Sequence, residues 1–444
     1  MKKLITQLAG AALIAGTALP SYSQATPDER FVSKEEYQKL LREHEAVKKE
    51  LDEMRAFRAQ FQQYLQRTNV AAQVASTPAP AAPAETGVPD KNSRDPIALS
   101  SYVFPGSTKF LLTGYGAAGF EARQHNDAVF SAQFNPIFLW KITDRLLFEG
   151  ELELELEDAE TSTKLEVANL NYVVNDYVTF GAGKFLNPMN SFVERYHMAW
   201  VNRLPDKPLA VYDGLLPETY VGAEFRGGVP VGSTKFNYAL FVANAPNLIK
   251  DGDDLSQIGA LDWDNFGNNG GGVALGGHVG FLPIPELELG YGLHYSGVGG
   301  SGADAFMQSA DLNYVRTVEA IRGMLRVNAQ WVWSHVDHVT YDATAAGGPA
   351  DLSFSNRRDG GYAQVAYRPT LVSSSILQKI EGVFRYDMLN QPAATVGYNQ
   401  TRYTFGLNYW LTPKTVFKLA YQLDDKDHHA EDESGVLVQF ATGF

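Results

Sequence analysis

The 444-residue chain carries 51 acidic against 37 basic residues, a formal charge of −14 at neutral pH, and no cysteine. That balance argues against nucleic acid as a partner, and the missing cysteine removes disulfides and thiolate metal sites. Beyond the N-terminus no stretch approaches about 18 uninterrupted apolar residues, so a mature chain that enters a membrane does not do so with helices.

Lys2 and Lys3 precede an apolar, small-residue run from Leu4 to about Leu19, and Ser23-Gln24-Ala25 follows. This reads as a cleaved export signal over 1–25, too short and too rich in glycine and alanine for an anchor. Over 26–70, Tyr37, Leu40, His44, Val47, Leu51, Met54, Arg58, Phe61 and Leu65 step by three and four, the a/d seam of a coiled coil. Ser33 and Glu36 make a capping box ahead of it. A seam of this kind is buried against copies of itself, and a lone amphipathic helix on another surface is the alternative. Residues 71–107 form an Ala/Pro-rich linker with Pro78, Pro80, Pro83, Pro89 and Pro96.

From 108 to 444 the period becomes two. Between Arg145 and Glu157 the chain reads RLLFEGELELELE. An extended strand puts Leu146, Phe148, Leu152, Leu154 and Leu156 on one face and Glu149, Glu151, Glu153, Glu155 and Glu157 on the other. A soluble sandwich could use one such strand. Recurrence removes that reading: Phe130/Phe134/Phe138/Trp140, Leu287/Leu289/Tyr291/Leu293/Tyr295, Leu325/Val327/Ala329/Trp331/Trp333 and Tyr403/Phe405/Leu407/Tyr409 repeat the pattern. Cut at turn signals, the segment gives about sixteen antiparallel strands, an even number suited to a closed barrel. Trp140, Tyr177, Tyr409 and Phe444 stand at strand ends as an interfacial girdle would, and tight turns alternate with long polar connections. The fold class is therefore an all-β transmembrane barrel preceded by a periplasmic coiled coil, placed in a Gram-negative-type outer membrane. Its outer face meets lipid, and the Glu row lines water.

The stretch GKFLNPMNSFVERYHMAWVNRLPDKPL (Gly183 to Leu209), the closing YWLTPKTVFKLAYQ and terminal Phe444 resemble the phosphate-selective type of trimeric sixteen-stranded porin. With the coiled coil, the layout is similar to the dicarboxylate porins of the DcaP type. The resemblance implies a homotrimer of passive pores for small hydrophilic, anionic solutes, a third outer loop folded inward as a constriction, and recognition of Phe444 by the barrel-assembly machinery. Strand counting independently makes Asn187 to Glu218 that loop, which places Glu194, Arg195, His197, Arg203, Asp206 and Lys207 against the solute. Packing of this loop between subunits is the alternative.

No arginine ladder of the phosphate porins aligns residue by residue. Alternation instead gives a basic wall of Arg322, Arg326, Arg368, Lys379, Arg385, Arg402 and Lys418, with Arg322 and Arg326 on strand eleven, across the lumen from the Glu row on strand three. Such walls set up a transverse field. Alternatively these charges pair with Glu381, Asp387, Asp311 and Glu224, or with the inner loop, and stiffen the wall.

Gly114-Tyr-Gly116-Ala-Ala-Gly119 matches a dinucleotide fingerprint but no helical pattern follows it. Asp251-Gly-Asp253-Asp254 lacks the glycine and terminal Glu of a calcium loop, and His335-x-x-His338 and His428-His429 read as solvated loop charge, so neither metal nor cofactor is assigned. No Ser, His and acid set stands out, and the chain is read as non-enzymatic. Two other functions remain open: a tether reaching the cell wall through the coiled coil, and a barrel hydrolase.

Overall fold

The computed structural model describes residues 109–157, 160–211, 215–263, 272–299, 301–392, 398–427 and 432–444. The export signal, coiled coil and linker read from 1–107 lie outside the described residues. Eighteen strands are present among those described. They are β1 (Phe110–Arg123), β2 (Val129–Lys141), β3 (Leu146–Glu157), β4 (Glu160–Asn175), β5 (Val178–Leu186), β6 (Thr219–Val231), β7 (Thr234–Asn244), β8 (Asn247–Leu248), β9 (Leu261–Asp262), β10 (Val273–Ile284), β11 (Leu287–Val298), β12 (Ala303–Val318), β13 (Gly323–Val336), β14 (Arg357–Arg368), β15 (Ile380–Asn390), β16 (Gln400–Thr412), β17 (Thr415–Lys426) and β18 (Glu433–Gly443). The short β8 and β9 form a separate two-stranded sheet, and the remaining sixteen close into one antiparallel barrel. The expected strand count is met, and β3 and β13 are the third and eleventh barrel strands.

Period-two sequence makes the two faces. Phe130 on the outside is 78% exposed, and Phe134, Leu156, Leu240, Leu275, Tyr295, Phe405 and Leu407 are exposed on the same surface. In register across β2 and β3, Phe134 pairs with Leu154 and Trp140 with Phe148, while Gln133 pairs with Glu155 and Ile137 with Glu151. Apolar side chains thus stack on apolar ones outside, and the carboxylates share the inner face. One end of the barrel carries short turns at 142–145, 176–177, 232–233, 285–286 and 413–414, with 369–379 the longer exception. The opposite end carries the long connections 187–218, 245–272 and 337–356.

The seam pairs β1 with β18 from Tyr115↔Gly443 to Arg123↔Gly435. Phe444 continues it, donating its N–H to the Gly114 carbonyl at 3.0 Å, and its ring stacks on Phe134 at 5.7 Å. A Cβ on Gly114 would lie 2.8 Å from the Phe444 ring and 2.2 Å from the Asn135 carbonyl oxygen. The glycines of the failed dinucleotide motif are seam geometry.

The main core lies inside the barrel, on the connection 187–218. Met189, Phe192, Val193, Ala210, Val211 and Leu215 of that loop bury against Phe185, Tyr220, Phe241, Met307, Val332 and Tyr362 of the wall. Ala199 of the loop packs with Tyr115, Ile137, Trp410, Val416 and Ala441, and Leu204 with Ala366, Val383, Ala420 and Leu437. The wall makes room with inward glycines: a Cβ would approach Met189 to 2.9 Å at Gly292, the Ala210 Cβ to 2.9 Å at Gly360, and Leu204 to 2.5 Å at Gly406. A separate cluster joins the other two long connections through Leu248, Ile258, Tyr341 and Phe354.

Gly360 tests this seating, because its added Cβ would also meet the Met388 carbonyl oxygen at 2.4 Å, and neither contact is a flexible side-chain end. Gly360→Ala is expected to cost about 1–3 kcal/mol by overpacking, read as a lower unfolding midpoint in detergent; an unchanged midpoint would show the loop is not seated there.

Candidate functional site: the barrel interior and its inner loop

The loop begins where the strand pattern breaks at Asn187-Pro188. Asn187 accepts from the Met189 N–H at 2.9 Å and donates to the Pro217 carbonyl at 2.9 Å, clamping the two ends together. Asn190 caps a one-and-a-half-turn helix α1 (Ser191–Tyr196), accepting from the Val193 N–H at 3.2 Å. Its amide donates to the Val211 carbonyl at 2.6 Å. The short helix then presents Glu194, Arg195 and Tyr196 to three parts of the wall.

Arg195 makes a bidentate pair with Glu288 of β11, at 2.5 and 2.7 Å. Glu194 receives Arg226 of β6 at 3.1 Å, and Arg226 also reaches Glu224 at 3.4 Å. Tyr196 donates to Asn313 at 3.0 Å and accepts from Asn328 at 2.9 Å. His197 lies 3.6 Å from Glu151 of the Glu row. Burial disfavours its imidazolium, yet Glu151 and the Val193 carbonyl outweigh that and raise its pKa above the ordinary histidine value.

Glu149, Glu151, Glu153 and Glu155 share the inner face of β3, with Glu157 closing the strand. The row is not a bare acidic wall. A bulge between Glu151 and Leu152 inserts Glu166 on β4, where Lys164 binds it at 3.0 Å. Lys164 also lies 3.7 Å from Glu218 at the foot of the loop.

Of the basic wall, Arg326, Arg368, Arg385, Arg402 and Lys418 lie on strands β13 to β17. Arg322 and Lys379 do not. Arg322 occupies the left-handed position of the turn before β13 (φ 52°), exposed, and donates to the Leu371 carbonyl at 3.2 Å. Lys379 ends a 3-10 turn ahead of β15. Both were expected on the wall because alternation carried past the strand ends, where the turn redirects the side chain.

Arg385, Arg402 and Lys418 hold the loop. Arg385, fully buried, binds Asp387 at 2.7 Å and Asp206 of the loop at 2.8 Å. Arg402 binds Asp424 at 2.5 Å and Asp206 at 3.1 Å, and Arg123 reaches Asp424 at 3.6 Å. Gln422 donates to Asp206 as well. Three guanidiniums and three carboxylates thus alternate from β1 to β15 through one loop residue. Lys418, also fully buried, donates to the Ala199 and Leu204 carbonyls at 2.5 and 3.2 Å and to Gln439 at 2.7 Å. These three cations meet the loop, whereas the transverse-field reading set them against open water.

Arg203 lies 3.7 Å from Glu381, and its guanidinium sits 4.7 Å from the Trp410 ring centroid. Burial pushes its pKa down to about 10, with attraction to Glu381 opposing the shift and repulsion from Arg326 and Arg368 adding to it. Lys207 accepts from Arg385 through its backbone carbonyl at 3.1 Å. Glu166, Glu288, Asp424, Trp410 and Gln422 were not anticipated from sequence. Inward parity pointed to the last four, and Glu166 was hidden by the bulge.

No protein-family model matches the chain, and no curated protein matches it. Among solved structures, it is similar to an anion-selective porin from Comamonas acidovorans, with 11% identity and a TM-score of 0.49 over 76% of this chain and 99% of that one. It is similar to OmpF of Salmonella typhi in complex with daunomycin, with 12% identity and a TM-score of 0.48 over 76% and 97%. The outer membrane channel DcaP of Acinetobacter baumannii gives 10% identity and 0.46 over 76% and 97%.

Asp206 generates a pH prediction. Burial raises its pKa, but Arg385 and Arg402 outweigh that and hold it below the ordinary carboxylate value. A depressed carboxylate contributes fully above its unfolded pKa, about 3.9, and loses its contribution as pH falls through the folded value. The contribution of Asp206 to loop anchoring should therefore be undiminished from pH 7 to pH 5 and weaken only below about pH 4. Asp206→Asn should remove that acid step and cost about 3 kcal/mol at neutral pH, the low end for half of a buried pair because each arginine keeps a second carboxylate. Unfolding midpoints across pH, with proteolysis within 187–218, would check it.

Proposed function

We propose that the chain is an outer-membrane porin, a passive channel for small hydrophilic solutes, assembled as a homotrimer with the loop 187–218 as its constriction. The observation that carries this reading is a charged loop folded into a closed barrel whose outside is apolar. Lipid cannot satisfy free backbone groups, so closure with a greasy exterior suits a bilayer, and ionised side chains inside require water. Sixteen strands enclose more than side chains alone fill.

For the solute we favour anions. Arg195 and Arg226 are partly open, at 31% and 44% side-chain exposure, and Arg203, Arg326 and Arg368 gather near the short-turn end. Of the acidic residues of β3 and β4, Glu166 is paired with Lys164 and Glu151 lies beside His197. Arg195, Arg203 and Lys207 from the loop, with Arg326 and Arg368 from the wall, are the proposed contacts for a permeating phosphate or dicarboxylate.

A reversal potential in planar bilayers under a salt gradient, with chloride, succinate and phosphate in turn, tests this directly. Anion preference is expected, weakened by Arg326→Ala or Arg368→Ala and unchanged by Arg322→Ala, whose side chain belongs to the turn. Cation preference would hand the path to Glu149, Glu151, Glu153 and Glu155 and overturn the anion assignment. Absence of stepwise conductance would overturn the channel itself. Deleting 26–106 separates assembly from tethering: loss of the trimer assigns the coiled coil to assembly, and unchanged conductance with envelope defects assigns it to the cell wall.

A further inference from the structure

We infer that His197 is a proton-operated latch that fastens the inner loop to the Glu row of β3, closed when its imidazole is charged and open when it is neutral. The latch concerns attachment of the loop and stands apart from the question of conduction.

Geometry assigns the tautomer. Nδ1 of His197 lies 2.5 Å from the Val193 carbonyl oxygen, which can only accept, so Nδ1 carries a hydrogen in either charge state. In the neutral ring the other nitrogen, Nε2, then holds a bare lone pair. That nitrogen faces Oε1 of Glu151 at 3.6 Å, with the two side chains 12% and 5% exposed. Both atoms are buried without a hydrogen-bond partner among the described residues. Neutral His197 therefore sets two acceptors against each other across a gap slightly too long for a hydrogen bond. A proton on Nε2 turns the same contact into a charged donor aimed at a carboxylate, and a shift of about half an ångström brings the pair into the usual range.

The surroundings favour the charged form. His197 is the C-cap of α1, where the last carbonyls of a helix attract a cation. Glu151 and Glu149 act on it from β3, and Tyr115 of β1 meets the imidazole edge-on at 6.3 Å. Lys207 of the loop opposes them, and Lys418 of β17 engages the loop two residues further on, at the Ala199 carbonyl. A histidine raised in this way contributes in full below its unfolded pKa, about 6.5, and its contribution goes as pH rises through the higher folded value. Asp206, further along the same loop, works in the opposite sense and holds through neutral and alkaline pH. Between about pH 5 and pH 6.5 both anchors are engaged, and above that window the α1 end of the loop loses its hold first.

The test is amide hydrogen exchange of the loop 187–218 in the full-length protein in detergent, comparing wild type with Glu151→Gln at the same pH so that the intrinsic chemistry cancels. The carboxamide at 151 donates to neutral Nε2, so this variant keeps the contact at alkaline pH. The ratio of wild-type to variant exchange around α1 is expected to rise at least several-fold between pH 6 and pH 9, and to stay flat when His197→Gln is compared with the double variant. A ratio that does not change with pH, or a rise that persists without His197, would overturn the latch. Should a variant fail to fold, exchange of the His197 ring C–H across pH, read by mass spectrometry on the wild-type protein, gives its titration directly: a midpoint above about 6.5 supports the latch and one at or below it overturns it.

Discussion

Everything in this barrel depends on the seam between its first and last strands. A sheet with a free edge exposes a row of N–H and C=O groups that hydrocarbon cannot satisfy, so sixteen strands are viable in lipid only as a closed ring. Closure here brings together residues more than 300 positions apart, with Thr113 donating to the Phe444 carbonyl and Phe444 donating to Gly114. The terminal aromatic fits because Gly114 has no side chain, and Phe134 supplies the ring on which it stacks. Once the ring is closed, strand parity is fixed around its whole circumference. Which charges face inward follows from that parity.

A barrel of this width is not filled by its own wall, so the interior is built from the loop. Two kinds of contact hold it. Inward glycines at Gly292, Gly360 and Gly406 receive Met189, Ala210 and Leu204, while cations on β15, β16 and β17 grip carbonyls and Asp206. Apolar seating alone would be as stable or more so, since a buried ion pair recovers little beyond its desolvation cost. What the ionic grip adds is register: Asp206 is shared by Arg385, Arg402 and Gln422, so the loop has one position in which all three are satisfied.

Much of the fold was legible because strand periodicity is a local signal. Leu146 to Glu157 declares its two faces without reference to any other segment, the count of sixteen follows from turn signals, and the length of 187–218 marks it as the odd connection. The interior was less legible, because a charge on an inward position is compatible with solvent, a wall neighbour or a loop, and only the fold decides. Arg385 and Arg326 have the same parity and comparable strand positions; one is fully buried among carboxylates and the other has an orphaned Nε. The inward glycines looked like ordinary strand interruptions until the loop side chains stood against them. Arg322 and Lys379 failed for a simpler reason, since alternation has no meaning past the last paired residue. The two stretches that resembled porins, Gly183 to Leu209 and Tyr409 to Gln422, prove to be the two halves of one contact: the first is the loop, and the second supplies Trp410, Lys418 and Gln422 beneath it.

That pairing explains how one barrel uses the same side chain in two ways. A guanidinium with its own carboxylate has its hydrogen bonds made and its charge cancelled, so a passing ion gains little from it. Arg385 and Arg402 are in that condition. A guanidinium whose nearest charges are positive keeps its field, and low dielectric around it strengthens that field. Arg326 comes nearest to the second condition, its buried Nε having no acceptor among the described residues, whereas Arg203 has Glu381 at 3.7 Å. The number of carboxylates per arginine, more than the number of arginines, separates the residues that hold the loop from those we propose as contacts for a solute.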